Sequence, residues 1–362
     1  MDLTKTELLR YDRQMLLDPI GAHGQQRLKT SKVLIAGMGG LGCPAALYLA
    51  SAGVGHLTLV DYDRVEMSNL HRQILFTDSD ISSPKVLTAA KRLRRINPHI
   101  HVDTAELRID AATASGLISN FDVVLDATDD PLARYALNDA CVATGIPVVY
   151  GSVYGFEGRV AVFGSDGGGC LRCLWPEPPQ EDLRCDCSQA GTLGAITGII
   201  GSYQALETIK VLTQANHLKN RLLIIDALGA ISRTMSFSRN PSCDACSAQN
   251  LSERAASRLP TLEIAPEILA TLLDSATPPI LVDVRETIES QAPAALAIRH
   301  LPLSQLTRWS ADLDKTTRII TVCDSGVKSR WAARALQELG FDAKSLNGGL
   351  DSPLAISLHL KK

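Results

Sequence analysis

A glycine-rich loop near the amino terminus is the feature that most constrains the fold. Gly37 to Gly42 reads Gly-Met-Gly-Gly-Leu-Gly, which is the G-x-G-x-x-G pattern. The loop follows the apolar run Val33 to Ala36, typical of a buried strand, and precedes helical spacing from Cys43 to Ser51. Glycines at such a junction permit a tight turn and let backbone N–H groups approach a diphosphate. The loop therefore predicts a nucleotide-binding α/β domain, in which NAD, FAD and ATP all fit.

Strands and helices alternate after the loop, which predicts a parallel sheet covered on both faces. The predicted elements are strands from His56 to Asp61, Ile100 to Leu107 and Phe121 to Asp126, and helices from Pro84 to Ile96 and Pro131 to Thr144. From Val148 to Phe163 the pattern has strands without helices, which indicates antiparallel strands at one edge. The expected fold is Rossmann-like, with a mixed but mostly parallel sheet.

The length of 362 residues suggests two domains, at roughly 150 residues per domain. A polar stretch without an apolar stripe, from Ser247 to Arg254, reads as part of a linker. Beyond it the pattern predicts a small α/β unit with helices from Pro266 to Ser275 and Lys328 to Leu339, and strands from Ile280 to Val284 and Arg318 to Val322. We predict a large domain at 1–246, a linker at 247–262 and a small domain at 263–362.

Charge and hydropathy exclude several classes of function. The 36 Lys and Arg residues nearly balance 39 Asp and Glu residues, which argues against nonspecific nucleic-acid binding. The apolar runs are shorter than the roughly 20 residues of a membrane span, and Met1 to Glu7 shows no signal-peptide core. We therefore expect a cytoplasmic protein with no membrane and no nucleic-acid partner.

Charged residues beyond the glycine loop favour ATP over a nicotinamide. Asp61 ends the second predicted strand, where its carboxylate would accept hydrogen bonds from a ribose. Arg72 and Lys85 follow, and Asp129 comes at the end of a later strand. An enzyme that cleaves between the phosphates of ATP needs such cations and a magnesium-binding acid, whereas a dehydrogenase does not. Each residue alone is equally a solvated charge or a helix cap, so the signal is their joint order.

Two Cys-x-x-Cys pairs predict a metal site. Cys170 and Cys173 form one pair, and Cys243 and Cys246 form the other. Four thiolates complete the tetrahedral coordination of Zn²⁺ and leave no position open, so the site would be structural. Two unrelated thiol pairs, or a redox-active pair, remain the alternative interpretations.

These motifs, taken in order, resemble the ThiF/MoeB/HesA family of adenylyltransferases, relatives of the ubiquitin-activating enzymes, in the subgroup fused to a C-terminal rhodanese domain. The resemblance runs from the segment Arg10 to Gln14 through the glycine loop and both cysteine pairs. It implies an adenylation domain of the ubiquitin-activating type and a small α/β rhodanese-like domain. It also implies that ATP is surrounded by Gly40, Asp61, Ser68, Asn69, Leu70, His71, Arg72, Lys85, Asp129 and Asp130.

The resemblance assigns further roles to individual residues. Arg13 matches an arginine that reaches the partner's nucleotide site across a homodimer. Asp129 matches the family's magnesium-binding acid, whereas Asp130 stands where the family usually has asparagine. Cys187 falls at the position of the family's active-site cysteine, and Cys185 is a second, weaker candidate. The neighbouring Asp186 argues against a reactive thiolate at Cys187, because a carboxylate raises the pKa of a nearby thiol.

The downstream Cys323 follows a predicted strand and precedes a predicted helix. There, backbone N–H groups and the helix amino end would lower the pKa of its thiol. The loop from Cys323 to Ser329 resembles a rhodanese active site, which implies that Cys323 carries a persulfide. The amino-acid sequence from Ala294 to Pro302 differs from the usual rhodanese motif, and the tryptophan expected after Gly348 and Gly349 is absent.

The resemblance implies a two-step reaction. ATP and Mg²⁺ would adenylate the C-terminal Gly-Gly carboxylate of a ubiquitin-like sulfur-carrier protein, and sulfur from the Cys323 persulfide would then give a thiocarboxylate. A cysteine desulfurase would supply the sulfur. Four carrier pathways fit equally: molybdopterin, thiamine, tRNA thiolation and siderophore synthesis.

Three alternatives stay open from the sequence. The first is an NAD-dependent oxidoreductase with an accessory domain. The second is an adaptor whose degenerate rhodanese unit serves only for docking. The third keeps the adenylation but transfers the acyl group to a thiol or amine of another substrate.

Overall fold

The computed structural model describes residues 2–118, 120–179, 191–247, 262–273, 275, 277–285, 298–324 and 326–351. The chain divides into two compact units, residues 1–255 and 256–362. The predicted linker at 247–262 stays a prediction, because residues 248–261 lie outside the described part. None of the described helices is both long and apolar enough to cross a bilayer.

The first unit is built on a mixed sheet of eight strands within the described residues. The strands are β1 (Lys32–Ala36), β2 (His56–Val60), β3 (His101–Ala105), β4 (Val123–Asp126), β5 (Val148–Tyr154), β6 (Glu157–Phe163), β7 (Arg221–Asp226) and β8 (Ile231–Ser236). Their order across the sheet is β3-β2-β1-β4-β5-β6-β7-β8. The pairs from β3 to β5 are parallel and those from β5 to β8 are antiparallel. A mixed, mostly parallel Rossmann-like sheet is therefore confirmed.

Helices cover this sheet. They are α1 (Lys5–Met15), α2 (Gly21–Thr30), α3 (Gly42–Ala52), α4 (Lys85–Ile96), α5 (Ala111–Leu117), α6 (Pro131–Thr144), α7 (Leu171–Leu174) and α8 (Gly194–Leu212). All residues of β4 are buried, and in β1 and β2 all residues but the first are buried. Such burial is typical of apolar parallel strands. The core consists mainly of Val, Leu, Ile and Ala side chains from both layers, in keeping with an aromatic content of only 4%.

Helix α3 is held against the sheet and against α8 by glycines. Its amino end is reached through Gly37, whose φ of 92° is in the left-handed region. A Cβ on Gly42 would lie 1.9 Å from the Gly37 carbonyl oxygen, so the turn into α3 requires glycine there. On α8, a Cβ on Gly201 would lie 2.4 Å from the Leu41 carbonyl oxygen. The loop and both helices therefore pack in backbone contact.

The second unit has a parallel sheet of five strands in the residues described. The strands are β9 (Glu263–Ile264), β10 (Ile280–Asp283), β11 (Ile298–His300), β12 (Ile319–Val322) and β13 (Ala343–Leu346), in the order β11-β10-β12-β13-β9. Helices α9 (Pro266–Leu273), α10 (Leu306–Ser310) and α11 (Val327–Glu338) accompany them. Two apolar clusters form the core, one around Trp309 and Phe341 and one around Leu281 and Ile320.

The elements predicted from sequence are present with bounds shifted by at most two residues. The helix from Pro131 to Thr144 begins and ends where predicted. The strand predicted from Ile100 to Leu107 is shorter, His101–Ala105. Sequence analysis did not identify α1, α2, α8 or the antiparallel strands β7 and β8.

Candidate active site and cysteine cluster

A cleft of about 360 Å³ opens at the carboxyl ends of the parallel strands in the first unit. Ligands bind at this edge in open α/β sheets, because the loops after parallel strands converge there. Of the residues predicted to surround a nucleotide, the following line the cleft: Gly40, Asp61, Asn69, Arg72, Lys85, Asp129 and Asp130. Ser68, Leu70 and His71 are not among the described residues that line it.

Asp61 connects the glycine loop to the end of β2. Its Oδ2 accepts a hydrogen bond of 2.7 Å from the Met38 backbone N, and its Oδ1 accepts one of 2.8 Å from the Asp63 backbone N. Burial raises the pKa of the Asp61 carboxyl, and the nearby Lys85 ammonium opposes that rise. The carboxyl group is thus an oriented acceptor at the edge of the cleft, suited to ribose hydroxyl groups.

Lys85 is the first residue of α4, and its ammonium group enters the cleft. Its side chain is 6% exposed, and its Nζ lies 2.8 Å from the Asp63 Oδ2. The Asp63 side chain is 47% exposed. A buried ammonium with one half-exposed carboxylate partner is placed to exchange that partner for a phosphate oxygen.

The segment from Glu66 to Gln73 forms the wall beside Lys85. Asn69 is buried, and its Oδ1 accepts a hydrogen bond from the Glu66 backbone N. Arg72 donates from Nη1 to the Ser68 carbonyl oxygen at 2.9 Å, which orients its guanidinium along the wall. Gln73 is 3% exposed, and its Oε1 is among the buried oxygens without a hydrogen-bond partner in the described residues. The wall therefore presents one cation and one unused acceptor.

Asp129 and Asp130 differ in their surroundings. Asp130 is the N-cap of α6, where its Oδ1 accepts a hydrogen bond of 2.8 Å from the Leu132 backbone N, and its Oδ2 lies 3.9 Å from an Arg108 nitrogen. Asp129 is exposed in the cleft, and its carboxylate has no hydrogen bond or ion pair to any described residue. Oxygen ligands of this kind suit Mg²⁺. Of these two aspartates, Asp129 is therefore the one whose carboxylate has no partner among the described residues.

A buried ion pair at the cleft, whose Arg134 is among the lining residues, was missed by sequence analysis. Asp126, at the end of β4, accepts a hydrogen bond of 2.9 Å from the Arg134 Nε. Arg134 also donates to the carbonyl oxygens of Thr128 and Gly151, at 2.6 and 3.2 Å. The pair therefore links the end of β4 and the residues after it to the middle of β5. An acidic residue ending a strand, with an arginine one helical turn into the next helix, was the available signal.

Arg13 lies elsewhere in the first unit. It is exposed in the last turn of α1 and is not among the described residues that line the cleft. Its proposed action on a nucleotide therefore requires a second copy of the chain.

The four cysteines of the two predicted pairs lie together. Their Sγ atoms are all within 4.8 Å of one another, with separations of 3.6 Å from Cys170 to Cys243 and 3.4 Å from Cys173 to Cys246. Two sulfur ligands of a tetrahedral zinc at ~2.3 Å are ~3.8 Å apart. The Asn240 backbone N also donates to the Cys173 Sγ at 3.3 Å, as it would to a ligating thiolate. The donor set and its spacing fit a structural zinc ion.

In the second unit, Cys323 lies between β12 and α11. Its Sγ accepts a hydrogen bond from the Ser329 backbone N and donates one to the Ser329 Oγ, each at 3.4 Å. The Ser329 N–H is among the first of α11, so the sulfur lies at the positive end of the helix. A Cβ on Gly349 would lie 2.4 Å from the Cys323 carbonyl oxygen, so the chain at Gly348 and Gly349 must pack closely on this loop. Cys185 and Cys187 lie outside the described residues.

Comparisons with known proteins identify a family for each unit. Residues 11–245 match the ThiF family, and residues 265–353 match the rhodanese-like domain. The chain is 37% identical over 366 residues to the adenylyltransferase and sulfurtransferase MOCS3 of Culex quinquefasciatus, covering 93% of this chain and 84% of that protein. It is 44% identical over 252 residues to the sulfur carrier protein adenylyltransferase of Thermus thermophilus, covering 68% of this chain and 93% of that protein.

Among solved structures, E. coli MccB with ATP is similar in fold. The TM-score is 0.58 at 24% identity, over 66% of this chain and 74% of that one. The ThiF match lies in the first unit and the rhodanese-like match lies in the second. The protein belongs to the ThiF family and carries a rhodanese-like domain after its ThiF domain.

Proposed function

We propose that this protein adenylates the C-terminal carboxylate of a ubiquitin-like sulfur carrier and then replaces one of its oxygens with sulfur. Relatives named adenylyltransferase and sulfurtransferase, and sulfur carrier protein adenylyltransferase, support both steps. The observation that carries the proposal is the cleft itself. It brings the glycine loop, Asp61, Arg72, Lys85 and Asp129 to one edge of the sheet, although they are far apart in sequence.

In the first step, an oxygen of the carrier carboxylate attacks the α-phosphorus of ATP. The bond between the α-phosphorus and the bridging oxygen breaks, which leaves an acyl-adenylate and pyrophosphate. Arg72 and Lys85 would stabilise the charge on the phosphoryl group and on the leaving pyrophosphate, with Arg13 of a second copy. Mg²⁺, held by Asp129, would neutralise phosphate charge when bound.

In the second step, the Cys323 persulfide would attack the acyl carbon and release AMP. The product is an acyl disulfide on Cys323. Attack of the Cys187 thiolate on the Cys323 sulfur would release the thiocarboxylate and leave a Cys187–Cys323 disulfide, which an external thiol would reduce. The hydrogen bond from the Ser329 backbone N to the Cys323 sulfur supports this role, because it stabilises an anionic sulfur.

Two partners follow from this proposal. A cysteine desulfurase would supply the persulfide sulfur to Cys323. A second copy of the chain would bring Arg13 to the cleft. The exposed side chains of Leu9, Leu16 and Leu17, on and after α1, accompany Arg13 and suit a protein interface.

The test of the proposal is ATP–pyrophosphate exchange with purified protein and a panel of Gly-Gly-ended sulfur carriers. We expect exchange with at least one carrier and none when its terminal glycine is removed, because the carboxylate is then misplaced. Equal exchange with and without carrier, or a preference for NAD over ATP in equilibrium binding, would contradict adenylation of a carrier.

We also propose that the cysteine cluster binds one structural Zn²⁺. Replacing Cys243 by serine should abolish zinc retention and lower the Tm of the first unit by about 10 °C. Loss of the metal lowers the free energy of unfolding, and roughly 1 kcal/mol of that free energy corresponds to 2–4 °C in Tm at this size. Zinc content is measured by elemental analysis and Tm by calorimetry. Cys43→Ala is the matched control, because Cys43 is a buried thiol on α3 outside the cluster. Full zinc content in Cys243→Ser would refute the assignment.

A further inference from the structure

Two histidines and an aspartate meet at the amino-terminal side of β2 and β3. The parallel register places His56 opposite His101 and Thr58 opposite Asp103. Because residues two apart share a face of a strand, His101 and Asp103 lie on the same face as His56. The glycine loop and Asp61 lie at the other end of β2, roughly 16 Å away at ~3.3 Å per residue. The group is therefore separate from the nucleotide cleft and from the cysteine cluster.

The three side chains converge on one point. The His56 Nε2 lies 3.1 Å from the Asp103 Oδ2, and the His101 Nε2 lies 3.0 Å from the Asp103 Oδ1. The two imidazole rings are 4.7 Å apart between centroids. One ligand atom from each residue lies within 4.8 Å of the others. Both Nε2 atoms are thus directed at the same carboxylate rather than at solvent.

These separations are close to those of ligands around a transition metal. Two ligand atoms of a tetrahedral zinc at ~2.1 Å are ~3.4 Å apart. Imidazole nitrogen and carboxylate oxygen together suit Zn²⁺, Co²⁺, Ni²⁺ and Cu²⁺. With both imidazoles neutral, the site carries one negative charge, which favours a divalent cation. Only small side-chain rotations would bring the Asp103 carboxylate and the two imidazoles from their present contacts into position as three ligands of one metal ion.

A hydrated ion has access to the group. The side chains of His56 and Asp103 are 17% and 16% exposed, and that of His101 is 46% exposed. The two strands fix the backbone of all three residues, so ligand binding orders little additional chain. Because the three ligands are already in place and one side of the group faces solvent, a metal ion can bind to the folded chain and need not be enclosed during folding.

We propose that His56, His101 and Asp103 form a binding site for a divalent transition-metal cation. In the tautomer that carries its proton on Nε2, each imidazole would donate that proton to Asp103. On metal binding the proton moves to Nδ1, through water, so that the Nε2 lone pair faces the cation. Three protein ligands leave a fourth position for water or for a ligand from another molecule.

The test uses the full chain with its cysteine cluster loaded with zinc and excess metal removed. Co²⁺ is then added, and binding is followed by calorimetry and by visible absorption. We expect one further equivalent per chain, with the weak ligand-field bands of nitrogen and oxygen ligands. Co²⁺ in the cysteine cluster would instead give intense sulfur charge-transfer absorption, which separates the two sites.

Substitutions at the site should weaken this binding selectively. His101→Gln and Asp103→Asn should each raise the Kd for Co²⁺ by at least about 100-fold, because each removes one of three ligands. His101→Gln is the safer variant, since that side chain is the most exposed of the three. His23→Gln, an exposed histidine on α2, is the matched control and should bind as the wild type does. No second equivalent in the wild type, or unchanged affinity in both variants, would overturn the proposal.

Discussion

Replacing Asp129 by asparagine is expected to lower carrier-dependent ATP–pyrophosphate exchange by at least about 100-fold, the scale of losing one charge-stabilising group at a reacting phosphate. The exposed Asp129 carboxylate is without a partner among the described residues, so it is available to Mg²⁺ in the cleft. Asparagine keeps the size of the side chain but removes its charge. The variant should also need more Mg²⁺ for half-maximal exchange, which a titration of Mg²⁺ at saturating ATP measures.

Asp130→Asn is the comparison that isolates this effect. Asparagine is as good an N-cap as aspartate, so the start of α6 should be preserved. The substitution removes the same charge one residue away, and we expect less than a tenfold loss of exchange. A larger loss in Asp130→Asn than in Asp129→Asn would mean that Asp130 holds the metal.

Replacing Cys323 by serine should abolish thiocarboxylate formation and leave ATP–pyrophosphate exchange unchanged. A serine oxygen cannot form the sulfur–sulfur bond of a persulfide, so the loss should exceed about 1000-fold. The substitution is nearly isosteric, and the Ser329 backbone N can still donate to the new side chain. The product is measured by mass spectrometry of the carrier, with thiosulfate as sulfur donor.

Ser329→Ala provides a graded comparison for Cys323. It removes the hydroxyl that accepts from the Cys323 thiol at 3.4 Å but keeps the backbone N–H that donates to the sulfur. Sulfur transfer should fall by less than about tenfold, since the backbone hydrogen bond that stabilises the anionic sulfur is kept. Thiocarboxylate formation by Cys323→Ser at the wild-type rate would show that the rhodanese-like unit does not carry the sulfur.

The parts of the fold that could be predicted have local causes. Gly37 and Gly42 are required by the turn itself, and the apolar strands around them are recognisable by their composition. Asp130 followed by Pro131 sets the start of α6, because an N-cap and a proline at the first helical position are both local signals. Of the residues that line the cleft, Asp61 and Asp129 were predicted because they follow the ends of strands β2 and β4.

The parts that were missed depend on contacts between distant residues. Helix α8 is apolar around most of its circumference, so it lacks the periodicity that identifies a surface helix. The ion pair from Asp126 to Arg134 depends on where α6 lies over β4 and β5. Ser68, Leu70 and His71 are not among the described residues that line the cleft, so their expected contact with a nucleotide stays a prediction.

The cysteine cluster also closes a loop. About 70 residues separate Cys173 from Cys243, and they include α8 and the two strands β7 and β8 that end the sheet. A metal that joins the ends of such a loop removes unfolded-chain entropy, as a disulfide does, by about 4 kcal/mol. The metal ion would then act as a reversible cross-link that fixes the antiparallel end of the sheet, including its exposed edge strand β8.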